Sequence, residues 1–119
     1  MVKPIIIIAT LFFVSCADQS VERSRENINS LLKTGNICDE IEANFLIGES
    51  KDTLYLNYLF QDMDNPKICS GRLQYKGMSV YQSKMIALRK IANLDSQIVI
   101  AGKPDSTIIK FFIKKFGYE

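Results

Sequence analysis

Behind Lys3 the chain carries an apolar run from Pro4 to Val14, and beyond it the apolar positions fall into separate periodic stretches. Over residues 18–36, Val21, Ile28, Leu31 and Leu32 recur on one face of a helix, which Ser20 can cap and Gly35 can end in a left-handed conformation. Ile41, Ala43, Phe45 and Ile47 then alternate, residues 48–52 are polar, and Leu54, Leu56, Tyr58 and Phe60 alternate again. Two runs of period two around a five-residue polar loop predict a β-hairpin, with a helix capped by Asp52 as the alternative for the second run.

Asp64-Asn65-Pro66, Ser70-Gly71 and Gly77 mark a loop with one short strand near Leu73 and Tyr75. Residues 79–93 form the clearest helix, with Val80, Tyr81, Leu88, Ile91 and Ala92 facing inward and Lys84, Arg89 and Lys90 outward. Residues 97–101 read as a buried strand and 102–106 as a turn. Residues 107–116 fit a helix face through Ile108, Ile109, Phe112, Ile113 and Phe116, but their Ile, Phe and Thr content favours a strand. A second hairpin is the reading adopted, with strand plus helix as its alternative. The expected fold is therefore α+β: N-terminal helix, β-hairpin, second helix, C-terminal hairpin, in one small domain over residues 21–119.

The first run changes this picture by fixing an address. A charged start, an apolar run of 11 residues and the small residues Ser15, Cys16 and Ala17 have the form of an export signal. A spanning helix needs about 18 to 20 apolar residues, so the run is too short for a permanent anchor. Phe13-Val14-Ser15-Cys16 resembles the lipobox of bacterial lipoproteins, with Phe13 where leucine is usual. The resemblance covers the export segment only and implies cleavage before Cys16 and lipid, palmitate included, on that cysteine. It divides the chain into a signal peptide (1–15), a lipidated tether (16–20) and the domain. The alternative is an ordinary signal cut after Ala17, which would discard Cys16.

Composition suits a globular domain, at 47% hydrophobic and 24% charged residues. In an oxidising cell envelope the remaining pair, Cys38 and Cys69, is expected to form one disulfide. The net charge of +2 hides a division: residues 16–65 carry four basic and ten acidic side chains, residues 66–119 ten basic and three acidic. The halves should attract one another within the fold, and the uncancelled remainder sets the surface field.

Candidate chemistry is sparse. No histidine is present, which removes histidine triads, the usual general base and the commonest zinc ligand. Ser30-Leu31-Leu32-Lys33 and Lys33-Thr34-Gly35 match the S-x-x-K and K-T-G patterns of serine penicillin-binding enzymes, but they overlap where that family keeps them far apart. Asp62-Met63-Asp64-Asn65 resembles the start of a calcium loop, then Pro66 and Lys67 replace a ligand and the required glycine. Asp39, Glu40 and Glu42 read as a solvated face. No cofactor, no metal and no catalytic residue is therefore expected, and nucleic acid is not an expected partner.

Residues 110–116 interleave Lys110, Lys114 and Lys115 with Phe111, Phe112 and Phe116, the first candidate for a partner surface. The expected function is that of a non-enzymatic, membrane-anchored envelope lipoprotein facing the periplasm or the cell exterior. It would bind another envelope protein as an inhibitor, immunity-type protein or accessory subunit. The alternatives are a small-ligand or lipid-headgroup module, with Tyr55, Tyr58 or Tyr81 at the mouth of a cleft between sheet and helix, and a serine–lysine hydrolase using Ser83 or Ser106.

Overall fold

The structure is a computed structural model that describes residues 19–94 and 98–118. The expected export segment, Cys16 and the alternative cut after Ala17 lie outside the described residues. Among the described residues five α-helices follow one another: α1 (residues 19–33), α2 (Ile37–Ser50), α3 (Leu56–Phe60), α4 (Val80–Ile91) and α5 (Ser106–Phe116). Short 3-10 turns occupy Thr53–Tyr55 and Leu73–Tyr75. Among the described residues there is no strand, only one antiparallel bridge between Ile68 and Ser79. The fold is all-α, which overturns the α+β expectation and both of its hairpins.

The first hairpin fails because its alternation samples a helix incompletely. In α2 the buried positions are Cys38, Ile41, Ala43, Asn44, Ile47 and Gly48, a spacing of three to four. Asn44 and Gly48 complete that stripe, and neither reads as a core residue by composition. Asn36 caps α2 by accepting from Cys38 N at 2.8 Å and Asp39 N at 3.2 Å, and Asp39 and Glu40 favour its positive N-terminal end. Gly48 does not break the helix, because its missing side chain lets α4 approach. A Cβ there would lie 3.1 Å from Ala87 Cα. Lys51 then ends the helix at φ 52°.

The second run follows its helical alternative. Asp52 caps the 3-10 turn through Leu54 N (3.1 Å), and α3 continues from it. Arg25 of α1 reaches the same carboxylate at 2.8 and 3.1 Å. The hydrogen bond from Arg25 holds the Asp52 carboxyl below its ordinary 3.8, against the opposing effect of burial. The folded state thus takes up this proton less readily than the unfolded chain. Its contribution is full above pH 3.8 and is lost as pH falls below it. Asp52→Asn, which keeps a capping oxygen, should lower the urea midpoint at pH 7 and match the parent near about pH 2. An equal loss at both pH values would count against the pair.

The remaining elements follow their punctuation. In α1, Ile28 is fully buried, Leu31 and Leu32 pack beside it, Val21 is 46% exposed, and Gly35 has φ 72°. Ser20 sits inside the helix and is not its cap. Ser79 caps α4 by accepting from Gln82 N at 3.0 Å. Residues 98–101 are irregular, with Val99 80% exposed and Ile100 buried. Gln97 lies outside the described residues. In α5, Asp105 accepts from Thr107 N at 2.8 Å and Gly117 closes the last turn at φ 64°.

The core lies between α2 and α4, with Ile47, Leu59, Tyr81, Met85, Leu88 and Phe112 at its centre. A smaller cluster joins Ile41 and Val80 to the Cys38–Cys69 disulfide, whose Cα atoms are 4.8 Å apart. No described helix is long and apolar enough to cross a membrane.

Candidate functional site

The outward face of α5 is the most distinctive surface. The helix turns Ile108, Ile109, Phe112, Ile113 and Phe116 toward the core and leaves Lys110, Phe111, Lys114 and Lys115 on the other side. Phe111 is 41% exposed and meets the buried Phe112 edge-on, with ring centroids 5.2 Å apart. A shallow groove of about 450 Å³ runs between Phe111, Lys114 and Lys115. Lys114 and Lys115 also lie in the last turn, where cations complement the helix dipole. The three lysines singled out from the sequence thus share one exposed face.

Part of the charge division is consumed internally. Arg72 pairs with Asp39 and Glu42 of α2, and Lys90 of α4 pairs with Glu49. These contacts join the basic and acidic halves, as expected. Arg89 donates to Ile98 O at 2.8 Å and so holds the segment after α4. Among the described residues Lys110, Lys114 and Lys115 enter no ion pair. The helical form matters for this face: a hairpin would have sent neighbouring lysines to opposite sides.

Lys84 is the largest departure from the reading of α4. It is only 2% exposed, not outward, and its ammonium donates to the carbonyls of Gln61 and Tyr58 while lying 4.5 Å from the Tyr58 ring centre. Those carbonyls belong to the end of α3, so the cation caps it. Burial pushes the ammonium below its ordinary 10.5, and the Glu40 and Asp62 carboxylates oppose that shift. The signal was present in the sequence: Lys84 continues the Val80–Leu88 stripe at i+4, but a lysine there is read as solvated by default.

Ser83 does not complete a hydrolase with it. The Ser83 hydroxyl donates to Val80 O at 2.8 Å and accepts from Asn44 Nδ2 at 2.9 Å, and the residue is fully buried. A nucleophile needs both a base and access to substrate. Ser106 is exposed at the start of α5. Tyr55 and Tyr81 are buried in the core, and the half-buried Tyr58 donates its hydroxyl to Glu40 at 3.2 Å. Burial drives the Tyr58 hydroxyl far above its ordinary value, so it stays protonated.

Of the other motifs, Ser30 and Lys33 lie on α1, with Thr34 turning the chain toward Asn36. Asp62 and Asp64 lie in a turn closed by Asn65 N to Asp62 O. Among the described residues no acidic or cysteine cluster is arranged to hold a metal ion. No family model, curated protein or solved structure matches this chain.

Proposed function

We propose that this chain is an envelope lipoprotein, lipidated on Cys16, that works by holding another protein on the basic outer face of α5 and catalyses no reaction itself. The observation that carries this reading is the gathering of Lys110, Lys114 and Lys115 around the half-exposed Phe111, while Arg72 and Lys90 are spent on internal pairs. An aromatic anchor within a cationic rim is the anatomy of a protein interface, where the ring supplies affinity and the charges steer encounter. Export as suggested by Lys3 and the Pro4–Val14 run would set it facing the periplasm or cell exterior. An inhibitor, immunity-type protein or accessory subunit suits a domain with such a face.

The test uses the full chain in its own cells. A photoreactive side chain at Phe111 should give a discrete protein adduct. Lys110→Glu, Lys114→Glu and Lys115→Glu together should reduce it at least about tenfold through slower association, with stability almost unchanged. A fatty-acid analogue should label the chain and fail to label Cys16→Ala. A phospholipid adduct at Phe111 would replace the protein partner with headgroup binding. A mature chain without label would remove the lipid anchor.

A further inference from the structure

The helices give the domain two poles. α2 and α4 run in the same direction: Asn44 meets Ser83, Gly48 meets Ala87, Glu49 pairs with Lys90 and Lys51 bonds Asn93. α1 runs the opposite way: residues 34–36 join its end to the start of α2, while Ser20, Ser24 and Arg25 of its first turns line a groove with Ser50 and Lys51, and Arg25 pairs with Asp52 just beyond α2. The start of α1 therefore lies beside the ends of α2 and α4. At the other pole stand the disulfide, the residue 67–79 segment and Gly102, whose carbonyl accepts from Ser79. With a rise of 1.5 Å per residue, α2 separates the poles by about 20 Å.

If the chain is held through Cys16, only a few residues precede the described part of α1, each reaching at most about 3.5 Å. The first pole then sits against the membrane and the disulfide pole faces away from it.

That far pole presents two exposed aliphatic side chains, Leu73 at 91% and Ile68 at 57%. The segment bearing them is tied down at many points. Besides the disulfide, Arg72 pairs with Asp39 and Glu42, Cys69 N bonds Met78 O at 2.9 Å, Gly77 N bonds Cys69 O at 2.8 Å, and the Tyr75 ring stacks on Phe45 at 5.3 Å. The 3-10 turn Leu73–Tyr75 holds Leu73 outward at the tip. Lys67 and Lys76 are exposed on either side, and no Asp or Glu occurs between Asn65 and Leu94.

From this arrangement we infer that residues 67–77 form a second docking surface, which inserts Leu73 into an apolar pocket of a protein whose pocket rim is acidic. A tethered segment loses little freedom on binding, so a single aliphatic anchor contributes more than it would on a loose loop. Lys67 and Lys76 select an acidic rim, and orientation away from the anchor selects a protein over the bilayer. The orientation rests on the lipid anchor proposed above.

A photoreactive side chain at Gln74, in the full chain in its own cells, tests the surface. The expected result is an adduct with one acidic protein, absent when the probe stands at Lys51 near the other pole. Leu73→Asp and the pair Lys67→Glu with Lys76→Glu should each reduce it at least about tenfold. No adduct, an adduct of twice the chain's own mass, a phospholipid adduct, or a protein adduct that survives Leu73→Asp would each overturn the inference. The Phe111 adduct and the Cys16 label report separately on the preceding proposal, so its failure is distinguishable from failure of this one.

Discussion

Phe112→Ala should destabilise the domain by about 3–5 kcal/mol and free α5 before the rest unfolds. Phe112 is the one fully buried residue of α5. Ile108, Ile109, Ile113 and Phe116 pack only partly against the core. Two further attachments lie near the C-terminus, where Phe60 meets Phe116 edge-on at 5.8 Å and stacks on Tyr118 at 4.3 Å. Removing the ring leaves a cavity next to helices already braced by one another, so the surroundings can fill it only in part. Urea unfolding would give the loss of stability. Hydrogen exchange would show early opening of Lys110–Phe116 while amides of α2 and α4 stay protected. A loss below about 1 kcal/mol would mean that α5 is held by its aromatic end instead. Because α5 carries the basic face, the variant should weaken the Phe111 adduct although every lysine is retained.

Replacing Cys38 and Cys69 together by alanine should cost about 3–4 kcal/mol. The two positions are 31 apart in sequence, and closing a loop of that length removes much of the freedom of the unfolded chain. Alanine is the informative replacement, because both cysteines sit in an apolar cluster with Ile41 and Val80 where serine would bury hydroxyls. For a small domain whose whole stability is of the order of 5–15 kcal/mol, that loss is large. The residue 67–79 segment should remain attached through Arg72 and the Cys69–Gly77 and Lys67–Val80 backbone bonds, but open more often. Chemical unfolding with and without reductant measures the loss. If reductant shifts the midpoint of the parent chain no more than that of the double variant, the bridge contributes nothing. The adduct at Gln74 should weaken under reduction, while the one at Phe111 should not.

Both variants bear on how the fold was encoded. Local punctuation was legible in part: the extent of α4, Asp52 as a cap in the alternative reading, and Gly35 at positive φ. The cysteine pair was legible too, because an even pair in one small domain, on the expectation of an oxidising envelope, is best read as one bridge. Strand and helix were confused where apolar residues at alternate positions also lie near helical spacing. In residues 41–47 the deciding positions were Asn44, satisfied by Ser83, and Gly48, required by Ala87. Both depend on α4, which lies more than thirty residues away. In residues 107–116 strand propensity competed with a clear helical stripe. The Asp105 and Gly117 caps together with the burial of Phe112 decided for helix.

The candidate surfaces divide in the same way. Lys110, Lys114 and Lys115 could be named from composition, but that they share a face around Phe111 depends on α5 being a helix. Nothing local marks Leu73 as exposed, and the place of Lys84 on the Val80–Leu88 stripe does not by itself supply partners for a buried ammonium. The first depends on the segment being clamped by Cys38, Asp39 and Glu42 of α2, the second on carbonyls supplied by the end of α3. The sequence by itself determined the extent of α4, the left-handed Gly35 after α1, the cysteine pair and the opposed charges of the two halves, since these rest on neighbouring residues or on composition. Tertiary structure alone decided which polar groups are buried and which apolar ones are left outside, because that balance is set by partners distant in the chain.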